Sequence, residues 1–172
     1  LNVKDEKVEG DKIAIYYASG DIVQDPKAAT MFGSNDYIAS RKVCKDLEEL
    51  MNDDDVKAVV VRINSGGGDA YASEQMWHQM SELRKVKPVV VSMGDYAASG
   101  AYYMSAPASW IVAQPNTLTG SIGIFAVIPD FSGLVTTKLG VRFDEVKTNR
   151  NSTFGNTMAR PFNAEETAML QA

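Results

Sequence analysis

A strand pattern that is apolar on both faces and ends in three glycines constrains the fold of this chain more than any other feature. Residues 56–63 read Val-Lys-Ala-Val-Val-Val-Arg-Ile, and residues 64–68 read Asn-Ser-Gly-Gly-Gly. Nearly continuous β-branched runs are typical of strands covered on both faces, as in parallel sheets. Glycine accepts positive φ angles, so the loop can turn its backbone N–H groups outward. We therefore predict an anion-binding loop or a tight strand-to-helix turn. A P-loop is excluded because no Gly-Lys-Ser/Thr follows.

The rest of the chain alternates strand and helix patterns at similar intervals. Helical segments have apolar residues at three- and four-residue spacing, and strand segments are short apolar runs bounded by glycine or proline. This alternation predicts an α/β fold with a mostly parallel sheet covered by helices on both faces, built from repeated ββα units. The predicted strands are residues 12–17, 56–63, 89–92, 111–113, 122–127 and 141–146, and the predicted helices are residues 37–51, 72–85, 97–106 and 134–139.

Composition and charge limit the classes of partner and cofactor. The 172 residues suffice for one domain with a sizeable core, and hydrophobic residues make up 45% of them. A net charge of −5 offers no basic patch to a phosphate backbone, so nucleic acid is not expected as a partner. Cys44 is the only cysteine, which excludes an intrachain disulfide and a cysteine-rich metal site. The sequence predicts no metal ion and no cofactor.

A second glycine-containing turn places a serine where it could act as a nucleophile. Residues 94–103 read Gly-Asp-Tyr-Ala-Ala-Ser-Gly-Ala-Tyr-Tyr. Ser99 is predicted at the start of a short helix, where the helix dipole would stabilise a neighbouring oxyanion. The N–H of Gly100, one residue on, is well placed to donate to that oxyanion. The alternative is that Ser99 only caps or packs the helix.

A serine hydroxyl needs a base, and histidine does not supply one here. His78 is the only histidine, and it lies roughly 200° around its predicted helix from the apolar residue Met76. We therefore expect His78 at the surface and disfavour a Ser–His–Asp triad. A lysine whose pKa is lowered by burial is the other common solution.

Two long segments carry a resemblance to a known family. VKAVVVRINSGGG and PVVVSMGDYAASGAYYMSAPASWIVAQPNTLTGSIGIF closely resemble the signal peptide peptidase A family, relatives of Clp protease in the crotonase-like superfamily. The likeness extends from about residue 12 to about residue 146. It implies a Clp protease/crotonase-like fold and a serine peptidase that uses a Ser–Lys dyad.

The same resemblance implies a role for each matching position. Ser99 would be the nucleophile, and the N–H groups of Gly68 (with Gly67 as the near alternative) and Gly100 would form the oxyanion hole. Ser121, in the segment TLTGSIG, would position the lysine. One departure is Gly66, which stands where the family usually has proline and removes no hydrogen-bond donor.

The lysine itself is missing from its expected place. In single-domain family members it lies downstream of the nucleophile, at a position that Asn151 or Ser152 occupies here, and neither can act as a general base. Arg150 stays protonated at any useful pH. Lys147, at the end of a predicted edge strand, is expected in solvent.

Long family members are tandem duplications in which the N-terminal half supplies the lysine and the C-terminal half supplies the serine. Residues 1–172 are therefore predicted to be a single peptidase domain, the C-terminal half of a longer protein, and to be inactive alone. Leu1, which is no initiator, and a helix at residues 163–172 that reads as interrupted agree with this interpretation.

The resemblance further implies a substrate and a location. It implies peptide substrates with small or apolar side chains near the cut, such as cleaved signal peptides, bound as an added strand beside residues 66–68. It also implies a ring-shaped homo-oligomer and attachment to the bacterial cell membrane through an anchor outside this chain, with the peptidase domain on the extracytoplasmic side.

Two alternatives come from other functional classes. A crotonase-type acyl-CoA enzyme would share the fold and an oxyanion hole of two backbone N–H groups, with acids such as Asp69 and Asp95 in its site. In a non-catalytic scaffold domain, the serine and glycine turns would only pack subunits together.

Overall fold

The computed structural model describes residues 10–25, 36–124 and 126–171. The chain forms two compact units, unit 1 (Leu1–Ile124) and unit 2 (Phe125–Ala172). None of the helices in the described ranges has the length and apolar content that crossing a bilayer requires. In chain order, unit 1 contains β1 (Lys12–Ser19), β2 (Asp21–Val23), β3 (Tyr37–Ala39), α1 (Ser40–Asn52), β4 (Val56–Ser65), α2 (Ala70–Val86), β5 (Val89–Ala98), α3 (Gly100–Ser105), β6 (Trp110–Val112) and β7 (Leu118–Gly120).

The main sheet of unit 1 is entirely parallel, as the alternating sequence pattern predicts. Its strand order is β1-β4-β5-β6, and β7 pairs with the later part of β5. β2 and β3 form a separate parallel pair. Because every strand of the main sheet runs in one direction, the carboxyl ends of β4, β5 and β7 come together at one edge.

One face of this sheet forms the hydrophobic core. Every second residue of β4 from Val59 to Ile63 is fully buried, and β5 continues the same face through Val89 and Val91. Helices α1, α2 and α3 all contribute to this core, through Leu47, Met76, Met80, Leu83, Ala101 and Met104 among others.

The opposite face of the sheet carries exposed apolar side chains. Ile15 is 59% exposed, Tyr17 73% and Trp110 70%. The prediction that helices cover both faces is therefore wrong for the described part of unit 1. An apolar strand pattern has the same appearance whether its second face is packed or open, so the sequence could not distinguish these cases.

Unit 2 contains little regular structure in its described residues. A π-helix spans Gly133–Lys138 and helix α4 spans Ala164–Gln171. The predicted strand at 141–146 is wrong, since these residues pair with no strand and Val146 is 90% exposed. The predicted strand at 122–127 is wrong for its described residues. Instead β7 ends at Gly120, where positive φ angles at Gly120 (91°) and Ser121 (52°) interrupt the extended backbone.

Candidate active site

The predicted site residues of unit 1 meet where β4, β5 and β7 end. The glycine loop, residues 66–68, follows β4, and Ser99 follows β5. Ser65 at the end of β4 pairs with Ala97 of β5, while Ala98 pairs with Gly120 of β7. This register brings the turns that contain Ser99 and Ser121 side by side, and the Ser99 N–H donates to the Gly120 carbonyl oxygen at 2.9 Å.

Ser99 lies in a strained turn between β5 and α3. Its φ of 52° and ψ of −119° belong to a region that residues with a side chain rarely occupy. Hydrogen bonds hold the backbone in this conformation on both sides of Ser99. The Ser99 N–H donates to the Gly120 carbonyl, and the Ser99 carbonyl accepts from the Tyr103 N–H at 2.8 Å. The side chain is half-buried, and its hydroxyl has no hydrogen-bond partner among the described residues. A fixed backbone with a free hydroxyl suits a nucleophile.

The glycine loop is in direct contact with the serine turn. Gly67 has a φ of 101°, and a side chain at this position would place its Cβ 2.8 Å from both Ser99 Cβ and the Gly100 nitrogen. Only glycine allows so close an approach of the two turns. Gly67 of the glycine loop and the Ser99 turn are therefore in close contact.

The backbone N–H groups of the two turns differ in their availability. The Gly67 N–H donates to Ser65 Oγ at 3.1 Å, within the loop itself. The N–H groups of Gly68 and Gly100 have no acceptor among the described residues. Gly68 and Gly100 thus carry the free donors of the two turns, whereas the N–H of Gly67 is already used.

Strand β7, which the sequence analysis missed, fixes the position of Ser121. Thr119 Oγ1 donates to the Ala97 carbonyl at 2.7 Å, and Thr117 Oγ1 donates to the Gly94 carbonyl at 2.8 Å. Ser121 follows β7 directly, is exposed, and shares the φ of 52° seen at Ser99. Alternating threonines in TLTGS were the available sequence signal, since threonine favours strands.

No lysine of the described part of unit 1 contacts Ser99. Each of the six lysines there donates to another group, mostly a nearby carboxylate. The partners are Asp55 for Lys12, Asp46 for Lys42, Glu49 for Lys45, Asp11 for Lys57, Glu82 for Lys85, and the carbonyl oxygens of Leu50 and Asp53 for Lys87. His78 is exposed on α2, as predicted.

The residues at and near the position where single-domain family members have the lysine lie in unit 2. Lys147 forms an ion pair with Glu145 at 3.1 Å, and this pair lowers the pKa of the Glu145 carboxyl. Arg150 pairs with Glu165 at 2.8 Å. Asn151 and Ser152 lie in a turn.

Asp69 and Asp95, the acids that an acyl-CoA enzyme would have in its site, have surroundings that are ordinary for a helix cap and an exposed strand residue. Asp69 is the N-cap of α2, and its Oδ1 accepts from the Ala72 N–H at 2.7 Å and from Gln24 Nε2 at 3.3 Å. Asp95 is exposed on β5. Across the described ranges, no group of three or more His, Cys, Asp or Glu side chains could hold a metal ion.

Comparison with known proteins matches this chain to one peptidase family and to proteins that are named as proteases. The sequence profile of Peptidase family S49 matches residues 81–172. Protease 4 of Haemophilus influenzae is 40% identical over 154 residues, which cover 88% of this chain and 24% of that protein. The chloroplastic serine protease SPPA of Arabidopsis thaliana is 34% identical over 161 residues, which cover 94% of this chain and 23% of that protein. The chain thus spans about a quarter of the length of these two relatives.

Among solved structures, a mutant of the 1510-N membrane-bound stomatin-specific protease aligns with a TM-score of 0.48 at 14% identity. The alignment covers 68% of this chain and 50% of that one.

Proposed function

The chain belongs to peptidase family S49, and from this premise we propose that it is the serine-bearing half of a Ser–Lys endopeptidase. The observation that carries the proposal is the contact between the strained Ser99 turn and the glycine loop, with the free N–H groups of Gly68 and Gly100 beside it. Backbone donors aimed at a developing oxyanion are the largest single term in many acyl-transfer sites, each worth about 2.7–4 kcal/mol.

The proposed reaction begins with attack by Ser99 Oγ on a peptide carbonyl carbon. The serine proton passes to a neutral lysine amine, and the new oxyanion accepts hydrogen bonds from the Gly68 and Gly100 N–H groups. Collapse of the tetrahedral intermediate breaks the C–N bond, and the lysine ammonium protonates the departing amine. Water then hydrolyses the acyl-enzyme, with the same lysine as base. Ser121 holds the lysine amine in line through a hydrogen bond.

The lysine is proposed to come from another part of a longer protein, in which residues 1–172 form the C-terminal peptidase domain. Support comes from the described lysines of unit 1, all of which are bonded elsewhere. The two relatives from Haemophilus influenzae and Arabidopsis thaliana are about four times as long as this chain, which leaves room for a second domain.

The proposed substrates are peptides that bind in extended form beside the glycine loop and carry small or apolar side chains near the cut. Cleaved signal peptides fit this description. The protein is proposed to form a ring-shaped homo-oligomer at the bacterial cell membrane, with the peptidase domain on the extracytoplasmic side and the anchor outside residues 1–172.

The test is hydrolysis of fluorogenic peptides by the full-length protein and by Ser99→Ala. We expect Ser99→Ala to lower kcat by at least about 10³-fold, since loss of a nucleophile removes the covalent route. Ser105→Ala is the matched control, because Ser105 lies on helix α3, which follows Ser99, is buried, and donates only to the Ala101 carbonyl at 2.6 Å. Equal turnover by Ser99→Ala and the wild type would refute the proposal.

A serine-directed phosphonate provides a second readout of the same claim. It should label the wild type at Ser99 and leave Ser99→Ala unmodified. Tight coenzyme A binding by calorimetry, with no labelling, would favour an acyl-CoA enzyme instead.

A further inference from the structure

A buried isoleucine on the short strand β2 contacts both turns of the candidate site. Ile22 is the central residue of β2 and is 1% exposed. It pairs with Ile38 of β3 on one side and forms an isolated parallel bridge with Gly68 on the other. Its position therefore links the β2–β3 pair to the glycine loop.

The backbone of Ile22 holds the loop on both sides of Gly68. The Ile22 N–H donates to the Gly67 carbonyl at 2.9 Å, and the Ile22 carbonyl accepts from the Asp69 N–H at 2.9 Å. A Cβ on Gly68 would lie 2.2 Å from the Ile22 carbonyl oxygen. Since both neighbours of Gly68 are bonded to one residue, the plane of the Gly68 peptide group is fixed by Ile22.

The side chain of Ile22 reaches the other donor. A Cβ built on Gly100 would lie 3.2 Å from Ile22 Cδ1 and 2.2 Å from Ser73 Oγ. Gly100 is buried, and Ile22 Cδ1 is one of the atoms nearest the space that a side chain on Gly100 would occupy. A single residue thus contacts the glycine loop through its backbone and lies near Gly100 through its terminal methyl group.

We propose that Ile22 is a positioning residue that sets the spacing between the Gly68 and Gly100 N–H donors. The inference rests on the proposed function and extends it to a residue outside the proposed nucleophile and donor groups. Oxyanion donors act only at hydrogen-bond distance from the developing charge, so a small shift of Gly100 relative to Gly68 weakens transition-state binding more than substrate binding.

The first test compares Ile22→Val with Ile38→Val in the full-length protein. Ile22→Val removes the single methyl group that lies against Gly100 and keeps the β-branch. Ile38→Val makes the same change in the paired strand, at a residue that is also buried. We expect Ile22→Val to lower kcat about tenfold with KM changed less than about twofold, as for an interaction made in the transition state. Ile38→Val should keep the wild-type kcat.

The second test follows the amide signals of Gly68 and Gly100 by NMR in the glycine-labelled full-length protein. Both signals should shift in Ile22→Val and stay unchanged in Ile38→Val. Unmoved glycine signals, an unchanged kcat in Ile22→Val, or equal losses in the two variants would overturn the inference. If turnover does not depend on Ser99, the proposed function fails, and the amide signals alone still decide whether Ile22 positions the two donors.

Discussion

At the scale of single residues, backbone conformation separates the two site serines from the other side-chain-bearing residues. Ser99 and Ser121 are the non-glycine residues of the described ranges with positive φ, both at 52°. Such conformations disfavour a side chain by about 1–3 kcal/mol and persist only where the surroundings enforce them. Hydrogen bonds to Gly120 and from Tyr103 provide that enforcement at Ser99. Strain at both serines is the pattern expected where a fold positions functional groups.

This strain predicts opposite effects of glycine at two serines of the same segment. Ser99→Gly should have a free energy of unfolding about 1 kcal/mol higher than Ser99→Ala, since glycine occupies this φ and ψ without steric conflict. At Ser105, which lies within α3, glycine should instead be about 1 kcal/mol less stable than alanine. Urea unfolding of the four variants measures both differences. The same sign at both positions would mean that the Ser99 turn is unstrained.

The crowding around Gly100 leads to a second prediction at this scale. Gly100→Ala should reduce peptidase turnover by at least about tenfold, because its Cβ would lie 2.2 Å from Ser73 Oγ and displace the N–H donor. Ser73→Ala removes that hydroxyl, so the double variant Gly100→Ala/Ser73→Ala should recover part of the lost turnover. Kinetics of the two single variants and the double variant measure the coupling. Additive losses would show that Ser73 does not limit the space at Gly100.

At the residue scale, the sequence indicates Ser99 and the two glycine-containing turns as candidates but does not indicate the residues that pack around them. Ser99, Gly100 and the glycine loop stand out locally, since they are small residues in turns that follow predicted strands. The preference for Gly68 over Gly67 as free donor depends on the Ser65 hydroxyl, and the packing at Gly100 depends on Ile22 and Ser73. The contacts at Gly100 join residues far apart in the chain, and no local pattern reveals them.

At the scale of elements, long periodic segments were predictable, and among the described three-residue strands only β6, predicted at 111–113, was. α2 and β4 occur as predicted to within two residues, because the core residues of each recur at a regular spacing. The predicted helix at 37–51 begins three residues later, since residues 37–39 form β3 and pair with β2. Three-residue strands such as β2, β3 and β7 depend on their pairing partners rather than on their own propensity.

Helix α4 begins with a reciprocal cap that makes its stability depend on pH. Glu166 is buried, accepts from the Asn163 N–H at 2.9 Å, and donates its own N–H to Asn163 Oδ1 at 2.9 Å. Arg160 binds both carboxylate oxygens, at 2.6 and 2.8 Å. These bonds lower the pKa of Glu166 from 4.5 to about 2, with the Arg160 guanidinium as the main cause.

A carboxyl whose pKa is lower in the folded chain stabilises the fold above its unfolded pKa and loses that effect as the pH falls. The free energy of unfolding should therefore decrease as the pH is lowered from about 4.5 to about 2. Glu166→Gln should be less stable at pH 7 and show a flatter pH dependence in this range. Glu165→Gln, the neighbouring change on the same helix, breaks only the more exposed ion pair with Arg150 and should change the profile little. Identical profiles for the wild type and Glu166→Gln in urea titrations would contradict the assignment.

At the scale of the whole molecule, the sequence predicts the parallel sheet correctly, but it does not predict which face of the sheet is packed against helices. Apolar runs separated by helical segments of sufficient length fix the parallel direction of the strands. The open face with Tyr17 and Trp110 carries residues that would suit a buried face equally well. The same limit applies to strand prediction in unit 2. Residues 141–146 are apolar enough for a strand but have no pairing partner among the described residues.

The bonding of its lysines predicts that the chain by itself has little peptidase activity. Residues 1–172 alone should hydrolyse fluorogenic peptides about 10²–10⁴-fold more slowly than the full-length protein, the usual contribution of a general base. The physical reason is that the described lysines of unit 1 all bind other groups and that Lys147 pairs with Glu145. Far-UV circular dichroism and a cooperative thermal transition establish that the isolated chain is folded, and full-length Ser99→Ala sets the background rate. Hydrolysis by residues 1–172 at the full-length rate, and its loss on replacing Lys147 with methionine, would place the base inside this chain.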